Sequence, residues 1–180
     1  MACVRVATEN DAAAVASIYA PYVRDTAISF EELPPSPDDM SGRIKKTLAT
    51  HPFLVFEDGG AVVAYAYASP HRERPAYRWS ADVAIYAALE VHRRGVGRAL
   101  YAGLLDMLGR QGFHAAFAGI TLPNEKSVGL HEAMGFEHVG TYAEVGFKLG
   151  AWRDVGWWHC RIASGPPRGA PIAFPDLRET

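Results

Sequence analysis

Hydrophobic residues occur along the chain in two different patterns, and each pattern predicts a different kind of element. Short runs rich in β-branched and aromatic residues predict strands at 4–7, 53–56, 61–68, 79–86, 115–122, 136–142 and 152–162. Apolar residues at helical spacing predict helices that end near residue 24 and that cover 38–50, 99–111 and 126–134. Hairpin strands come early and strand–helix alternation comes later, so the order predicts an α/β fold with a sheet of mixed direction flanked by helices.

Local signals support several of these boundaries. Thr8 and Asp11 have the spacing of a capping box before the first helix. Ser36-Pro37 combines a preferred N-cap with proline at the first helical position. Gly135 follows the last predicted helix at the position where a left-handed residue commonly ends one.

Length and composition restrict the class of protein. The chain of 180 residues fits one domain, which we place at 1–163, followed by a tail at 164–180 that carries four prolines and two glycines. A net charge of −2 provides no general field for nucleic acid or an anionic membrane, so neither is an expected partner. No apolar run approaches the roughly 18 residues of a membrane span, and the N-terminus lacks the apolar core of a signal peptide.

The two cysteines, Cys3 and Cys160, allow no disulfide framework and no four-cysteine metal site within one chain. We expect two reduced thiols, a cytoplasmic location and no bound metal.

The segment Arg93-Arg94-Gly95-Val96-Gly97-Arg98 lies between a predicted strand and a predicted helix. Such a turn directs unpaired backbone N–H groups to one point, where the helix dipole also favours an anion such as a diphosphate. The lysine and hydroxyl residue of a P-loop are missing, and so are the third glycine and the following acidic residue of a dinucleotide fold. Many glycine turns simply begin helices, and this segment alone does not distinguish the two interpretations.

Other candidate groups are weak when each is considered alone. Asp82 lies in an apolar strand, where a carboxyl group can have a raised pKa and accept a proton, or can simply face solvent. Asn124 and His131 are about two helical turns apart, so both can face one crevice, although a lone histidine is more often a packed residue. Arg72 and Arg74 could hold one small anion, although an ordinary exposed loop is the better interpretation of this segment taken alone.

Together the segments resemble the GNAT superfamily of acetyl-CoA-dependent N-acetyltransferases, and in particular its phosphinothricin and methionine sulfoximine acetyltransferase branch. The glycine turn matches that family's cofactor loop, except that His92 stands at the usual first position. The most specific match is the stretch 146–158, GFKLGAWRDVGWW, and the others are 53–55, 76–82, 122–128 and 130–136. The resemblance extends to about residue 163. It implies the GNAT fold, with a mixed, mostly antiparallel central sheet, and it implies a homodimer.

The resemblance also implies roles for individual residues. The acetyl-CoA cosubstrate is expected to contact strand residues, the glycine turn and a helix start: Ile85, Tyr86, Ala87, Arg93, Arg94, Gly95, Val96, Gly97, Arg98, Asn124 and Ser127. The small amino-acid substrate is expected near Phe30, Arg72, Arg74, Tyr77, Asp82, Val83, Ala84 and Lys148.

The chemistry implied is direct transfer of an acetyl group to an α-amine. Asp82 would accept the proton of the amine directly or through water, a backbone amide near Ile85 would stabilise the oxyanion, and His131 would protonate the leaving thiolate. Asp82 departs from the branch, which typically has glutamate here. The shorter side chain reaches roughly 1.5 Å less far, and such a misplacement can reduce the rate about 100-fold unless something bridges the gap.

Two other functions remain open at this stage. The same fold could acetylate a protein N-terminus or a polyamine, although paired arginines would repel a polyamine. The chain could also be a CoA-binding sensor without turnover, for which the short Asp82 is the only support.

Overall fold

Seven strands form one sheet in the computed structural model, which describes residues 2–91 and 95–178. The strands are Cys3–Val6 (β1), Phe53–Asp58 (β2), Ala61–Pro70 (β3), Ser80–Ala87 (β4), Ala115–Leu122 (β5), Glu137–Lys148 (β6) and Ala151–Arg161 (β7). Their spatial order is β1-β2-β3-β4-β5-β7-β6. Every neighbouring pair is antiparallel except β4 and β5, so the predicted mixed, mostly antiparallel sheet is confirmed.

Four α-helices flank the sheet within the described ranges: Ala12–Arg24 (α1), Pro37–Leu48 (α2), Val96–Gln111 (α3) and Glu125–Ala133 (α4). The Ser36 hydroxyl caps α2 by accepting from the Asp39 backbone N–H at 3.1 Å. Helix α3 begins three residues earlier than the predicted Ala99, because Gly95 takes a left-handed conformation with φ 73° and ends the preceding turn there. None of these helices combines the length and apolarity that a membrane crossing needs.

The two faces of the sheet carry different cores. On one face α3 packs over small and aliphatic strand residues such as Ala66, Val83 and Ala118. On the other face α1 and α2 cover a cluster rich in aromatic rings, including Phe53 and Tyr65. Because side chains alternate along a strand, Val83 faces α3 and Asp82 faces the aromatic side.

Strands β4 and β5 pair over only three positions, from Ser80↔Ala115 to Asp82↔Phe117. Beyond that point β4 stays paired with β3 as far as Ala87, and β5 stays paired with β7 as far as Leu122. The two parallel strands therefore separate after Asp82 and open a cleft in the middle of the sheet. Helices α3 and α4 each follow one of these strands, so both begin at the open end.

Strand β6 is longer than the 136–142 segment predicted from its pattern, and it runs on to Lys148. The register shifts between Tyr142 and Gly146, and Glu144 has a positive φ of 49°. The Glu144 backbone N–H is held by the Asp154 carboxylate at 2.8 Å. This irregularity interrupts the alternation of inward and outward side chains along β6, so the strand pattern in the sequence ends at residue 142 although the strand continues.

The tail after residue 163 is attached to the domain by side chains and backbone. Phe174 and Leu177 are 2% and 5% exposed. The Gln111 side-chain amide donates to the Ile172 carbonyl at 2.8 Å, and the Ile172 N–H donates to the Gln111 carbonyl at 2.9 Å. The Trp79 indole N–H donates to the Gly169 carbonyl at 2.7 Å. The tail is thus wrapped on the surface and anchored by two apolar side chains.

Replacing Phe174 by alanine should lower the free energy of unfolding by about 3 kcal/mol, because a buried aromatic ring is removed from a packed site. Urea unfolding followed by circular dichroism measures this loss. The matched control is Ile172→Ala, since Ile172 is 39% exposed and should change the stability by well under half as much. Equal stability of the Phe174 variant and the unaltered chain would show that the tail adds nothing to the fold.

Candidate active site

The cleft between β4 and β5 ends at the first turn of α3. Gly95 precedes this turn in a left-handed conformation, Val96 is buried beneath it, and Arg98 is exposed on it. The first N–H groups of a helix have no partner within the helix, so this end favours an anion. Arg93 and Arg94, which were predicted to bind the cofactor, lie outside the described residues.

Close packing at the helix start explains the second glycine of the loop. A Cβ on Gly97 would lie 2.8 Å from a methyl carbon of Leu130 on α4 and 3.5 Å from Ile85 on β4. The glycine therefore allows β4 and the first turns of α3 and α4 to meet at the mouth of the cleft.

Asp82 stands at the point where the two parallel strands part, on the aromatic side of the sheet. Its Oδ1 lies 2.6 Å from Nδ1 of His71, and the Asp82 side chain is 29% exposed. Burial raises the pKa of the Asp82 carboxyl group above its ordinary value, and the hydrogen bond to His71 and the charge of Arg72 oppose that rise only in part. This direction agrees with the raised pKa expected for a carboxyl group in an apolar strand.

Arg72 and Arg74 are both exposed on the segment between β3 and β4. The Arg72 guanidinium lies over the ring of Trp157 at 5.5 Å from its centroid, and one of its nitrogens donates to the His71 carbonyl at 2.7 Å. Arg74 precedes a short 3-10 turn at Pro75–Tyr77, and Tyr77 is 44% exposed. Of the two arginines, Arg72 is the one held beside the cleft on the side of Asp82.

Lys148 and Phe30 belong to one structural unit. The Lys148 ammonium donates to the carbonyls of Val23, Ser29 and Glu31 at 2.6, 2.5 and 2.8 Å. An ammonium has three protons, so all three are engaged, and Lys148 fixes the loop that carries Phe30. The Phe30 ring lies directly against Gly146 of β6. The geometry thus gives Lys148 a positioning role in place of the predicted direct contact with substrate.

His131 is turned into the core between α3 and α4, where the residue is 3% exposed. Its Nδ1 lies 2.7 Å from the Ser127 carbonyl oxygen, and its Nε2 lies 2.7 Å from the Tyr101 hydroxyl. Burial lowers the pKa of His131, so the ring is neutral, with Nδ1–H donating to the carbonyl and Nε2 accepting from the tyrosine. Neither nitrogen has a proton free for a leaving group. These contacts correct the expectation that His131 and Asn124 face one crevice, because core packing directs the ring away from it.

Asn124 caps α4, since its side-chain oxygen accepts from the Ser127 backbone N–H at 3.2 Å. Both residues therefore lie at the N-terminus of α4, which is the second helix start at the open end of the cleft. Their contact with the cofactor stays a prediction.

Two of the five other predicted contacts on β4 can involve only backbone or an edge of the side chain. Val83 is 6% exposed and packs in the core under α3. Tyr86 packs edge-on against Tyr19 and Tyr22 at 4.8 and 5.2 Å between ring centroids, so its ring belongs to the aromatic core. Ala84, Ile85 and Ala87 are half-buried along the cleft.

The sequence analysis assigned no role to His71, Phe117 or Trp157, which complete the surroundings of Asp82. The pairing Ser69↔Asp82 in the β3–β4 hairpin brings position 71 next to the Asp82 strand. The available sequence signal for His71 was its position in a loop between two predicted strands. Its contacts across the sheet with β5 and β7 could not be predicted from any short segment of the sequence.

Comparison with known proteins agrees with this arrangement. Residues 4–157 match the family model described as an acetyltransferase (GNAT) domain. The chain belongs to the GNAT acetyltransferase family. It is 38% identical to the phosphinothricin N-acetyltransferase of Streptomyces viridochromogenes over 166 residues, which cover 92% of this chain and 91% of that protein.

A second relative is the L-methionine sulfoximine/L-methionine sulfone acetyltransferase of Salmonella typhimurium, which is 31% identical over 84% of this chain and 90% of its own length. Among solved structures, a GNAT superfamily phosphinothricin acetyltransferase from Sinorhizobium meliloti in complex with acetyl-CoA superposes with a TM-score of 0.89. It is 34% identical and covers 97% of this chain and 96% of that one.

This GNAT protein is an acetyl-CoA-dependent N-acetyltransferase. The cofactor fits the cleft, because the separated β4 strand leaves backbone groups for an extended chain and the α3 start offers N–H groups to a diphosphate. Across residues 2–91 and 95–178 there is no group of three His, Cys, Asp or Glu side chains that could hold a metal ion.

Replacing Lys148 by methionine in this acetyltransferase should lower the free energy of unfolding by about 2–3 kcal/mol, because hydrogen bonds to a charged group are lost. It should also raise KM for the amine more than KM for acetyl-CoA, since the loop with Phe30 is released. Urea unfolding and steady-state kinetics measure the two effects. The control is Lys126→Met on the exposed side of α4, and identical behaviour of the two variants would contradict the positioning role.

Proposed function

We propose that this enzyme acetylates the α-amine of a small amino acid that carries a second anionic or strongly polar group, as phosphinothricin and methionine sulfoximine do. The observation that carries the proposal is the placement of the Arg72 guanidinium beside the Asp82 carboxyl group, where the two parallel strands separate. A guanidinium is suited to a carboxylate or phosphinate, and a neighbouring proton acceptor is suited to an amine. The names of the two relatives support the same substrate class.

The reaction proposed is a direct attack in the cleft. The neutral amine attacks the thioester carbonyl of acetyl-CoA, and its proton goes to the Asp82 side of the cleft. Beyond Asp82 the edge of β4 that faces β5 has no strand partner, and a backbone N–H near Ile85 is positioned to stabilise the oxyanion. The thiolate that leaves can take its proton from solvent, because a thiolate is largely protonated at neutral pH, as the cysteine pKa of about 8.5 illustrates.

The alternative substrates are less compatible with this surface. Arg72 and Arg74 are both exposed on the segment between β3 and β4, and two positive charges repel a polyamine. A protein N-terminus would not need a guanidinium for a second anionic group. Membership of a family of acetyltransferases favours turnover over a non-catalytic CoA sensor.

The test is release of CoA thiol from acetyl-CoA with phosphinothricin, methionine sulfoximine and methionine sulfone, and with spermidine and an N-terminal peptide as the competing classes. We expect turnover of the amino acids to exceed that of both competitors. Arg72→Ala should raise KM for the amino acid about 10-fold or more through the lost charge-assisted hydrogen bonds, with KM for acetyl-CoA unchanged.

Arg78→Ala is the matched control for Arg72, since Arg78 is also exposed and also lies over a tryptophan, at 5.2 Å from the Trp79 ring centroid. Preferred turnover of spermidine or of the peptide would overturn the substrate class. Equal KM values for the two arginine variants would remove Arg72 from the substrate site.

A homodimer is the assembly we propose for this enzyme, in the cytoplasm that its two free cysteines favour. The edge strand β6, its partner β7 and the turn between them expose large apolar side chains: Val139, Tyr142, Val145, Phe147, Leu149 and Trp152, each between 51% and 60% exposed. An exposed apolar patch on an edge strand is a surface that proteins normally cover. A second copy of the chain is its expected partner.

Replacing Trp152 by glutamate should convert the dimer into a monomer, because a charge is introduced where apolar area is buried between copies. Light scattering after size-exclusion chromatography reports the mass directly. Leu33→Glu is the control, since Leu33 is 82% exposed and lies outside this strand pair. A monomeric unaltered protein would refute the homodimer.

A further inference from the structure

His71 forms the shortest polar contact of the Asp82 carboxyl group, with 2.6 Å between Nδ1 and Oδ1. An ionised Asp82 can only accept here, so Nδ1 carries the proton of this hydrogen bond, and in the neutral ring Nε2 keeps its lone pair. This is the arrangement in which a carboxylate orients an imidazole and stabilises the imidazolium formed when Nε2 takes up a proton.

The imidazole ring is held rigidly on the aromatic side of the sheet. It stacks on Phe117 of β5 with 4.4 Å between centroids and 20° between planes. Its edge meets Tyr77 at 5.9 Å and Trp157 at 6.1 Å. The side chain is only 12% exposed, and among the residues that the structure describes Nε2 has no hydrogen-bond partner. A nitrogen that is held in place by its ring's packing, and that has no hydrogen-bond partner among the described residues, is suited to accepting a proton from a substrate.

The Trp157 ring connects the His71 imidazole to Arg72, the residue proposed to bind the acidic group of the substrate. Trp157 contacts the edge of His71 and also lies under the guanidinium of Arg72. An amino acid whose acidic group binds Arg72 can bring its amine to His71, because both side chains contact Trp157. The imidazole lies beyond the Asp82 carboxylate in the hydrogen bond, so Nε2 extends the reach of the aspartate side chain.

The geometry points to a His71–Asp82 dyad in which His71 Nε2 is the general base of acetyl transfer and Asp82 orients the ring. As the amine nitrogen bonds to the thioester carbonyl carbon, its proton moves to Nε2. The C–S bond then breaks, CoA leaves as the thiolate, and the imidazolium returns its proton to the thiolate or to solvent. This inference rests on the proposed acetylation of an amino acid and names the base for it.

The experiment compares His71→Ala, Asp82→Asn and the double variant by steady-state kinetics with added imidazole. We expect His71→Ala to lower kcat about 100-fold, with KM for acetyl-CoA within twofold of the unaltered enzyme. Added imidazole should raise the kcat of His71→Ala at least tenfold, because it supplies the missing base. Asp82→Asn should lower kcat less than His71→Ala, and the double variant should be no worse than His71→Ala, since the two residues act as a unit.

The matched control is His159→Ala, whose ring also packs on Phe117, at 5.1 Å, and which should stay within twofold of the unaltered enzyme. Binding of acetyl-CoA, measured by calorimetry, establishes that each variant is folded. If His71→Ala does not bind acetyl-CoA, His71→Asn takes its place, because its amide can still donate to Asp82 but offers no basic nitrogen.

Two results would overturn the dyad. One is a kcat of the His71 variant within threefold of that of the unaltered enzyme, together with a 100-fold loss of kcat in Asp82→Asn, which makes Asp82 the sole base. The other is a large loss that imidazole does not restore, which makes His71 a structural residue. All variants are assayed with the amine that the unaltered enzyme uses best. If the proposed substrate class is wrong, the unaltered enzyme itself prefers another amine. If only the dyad is wrong, the disagreement is seen in the kcat values of the variants alone.

Discussion

The separation of β4 from β5 is the constraint on which the rest of this molecule depends. Parallel pairing stops at Asp82↔Phe117, and each strand continues with its pairing on the other side intact. Backbone groups along the exposed inner edges must find partners, because unpaired backbone N–H and C=O groups are costly away from water. An extended cofactor arm can supply them. The helix starts at Val96 and Glu125 lie at the same end, so the cofactor path and the anion site are consequences of one break in the sheet.

Strand register links the site to the core. On β4, Val83 enters the core under α3, while Asp82 and Tyr86 face the aromatic side. A slip of one residue would bury the carboxyl group under α3 and expose the apolar set, so the core itself determines where the acid group points. The Tyr86 ring is held by Tyr19 and Tyr22, which makes a slip more costly still.

Much of this arrangement could be predicted from the sequence. The β2–β3 hairpin and the strand carrying Asp82 have local patterns, and each strand was placed within two residues of its observed bounds. The roles of Lys148 and His131 could not be predicted in this way. The three carbonyls that bind Lys148 lie 117 to 125 positions away in the chain, and the Tyr101 partner of His131 lies 30 positions away. Contacts of this range follow from how helices and strands pack, which no short window of sequence contains.

The burial of Asp82 is itself an argument for its use. Burial raises the pKa of Asp82 in the folded protein above its value in the unfolded chain. Between those two pKa values the folded state binds more protons than the unfolded state, so this group's contribution to stability falls as the pH rises through the raised pKa. An ionised Asp82 is therefore unfavourable for folding, and the hydrogen bond to His71 offsets this only in part. An asparagine would avoid the penalty at neutral pH. A carboxylate that lowers stability, yet is hydrogen-bonded to an imidazole at the point where the two parallel strands part, fits a group whose charge the reaction needs.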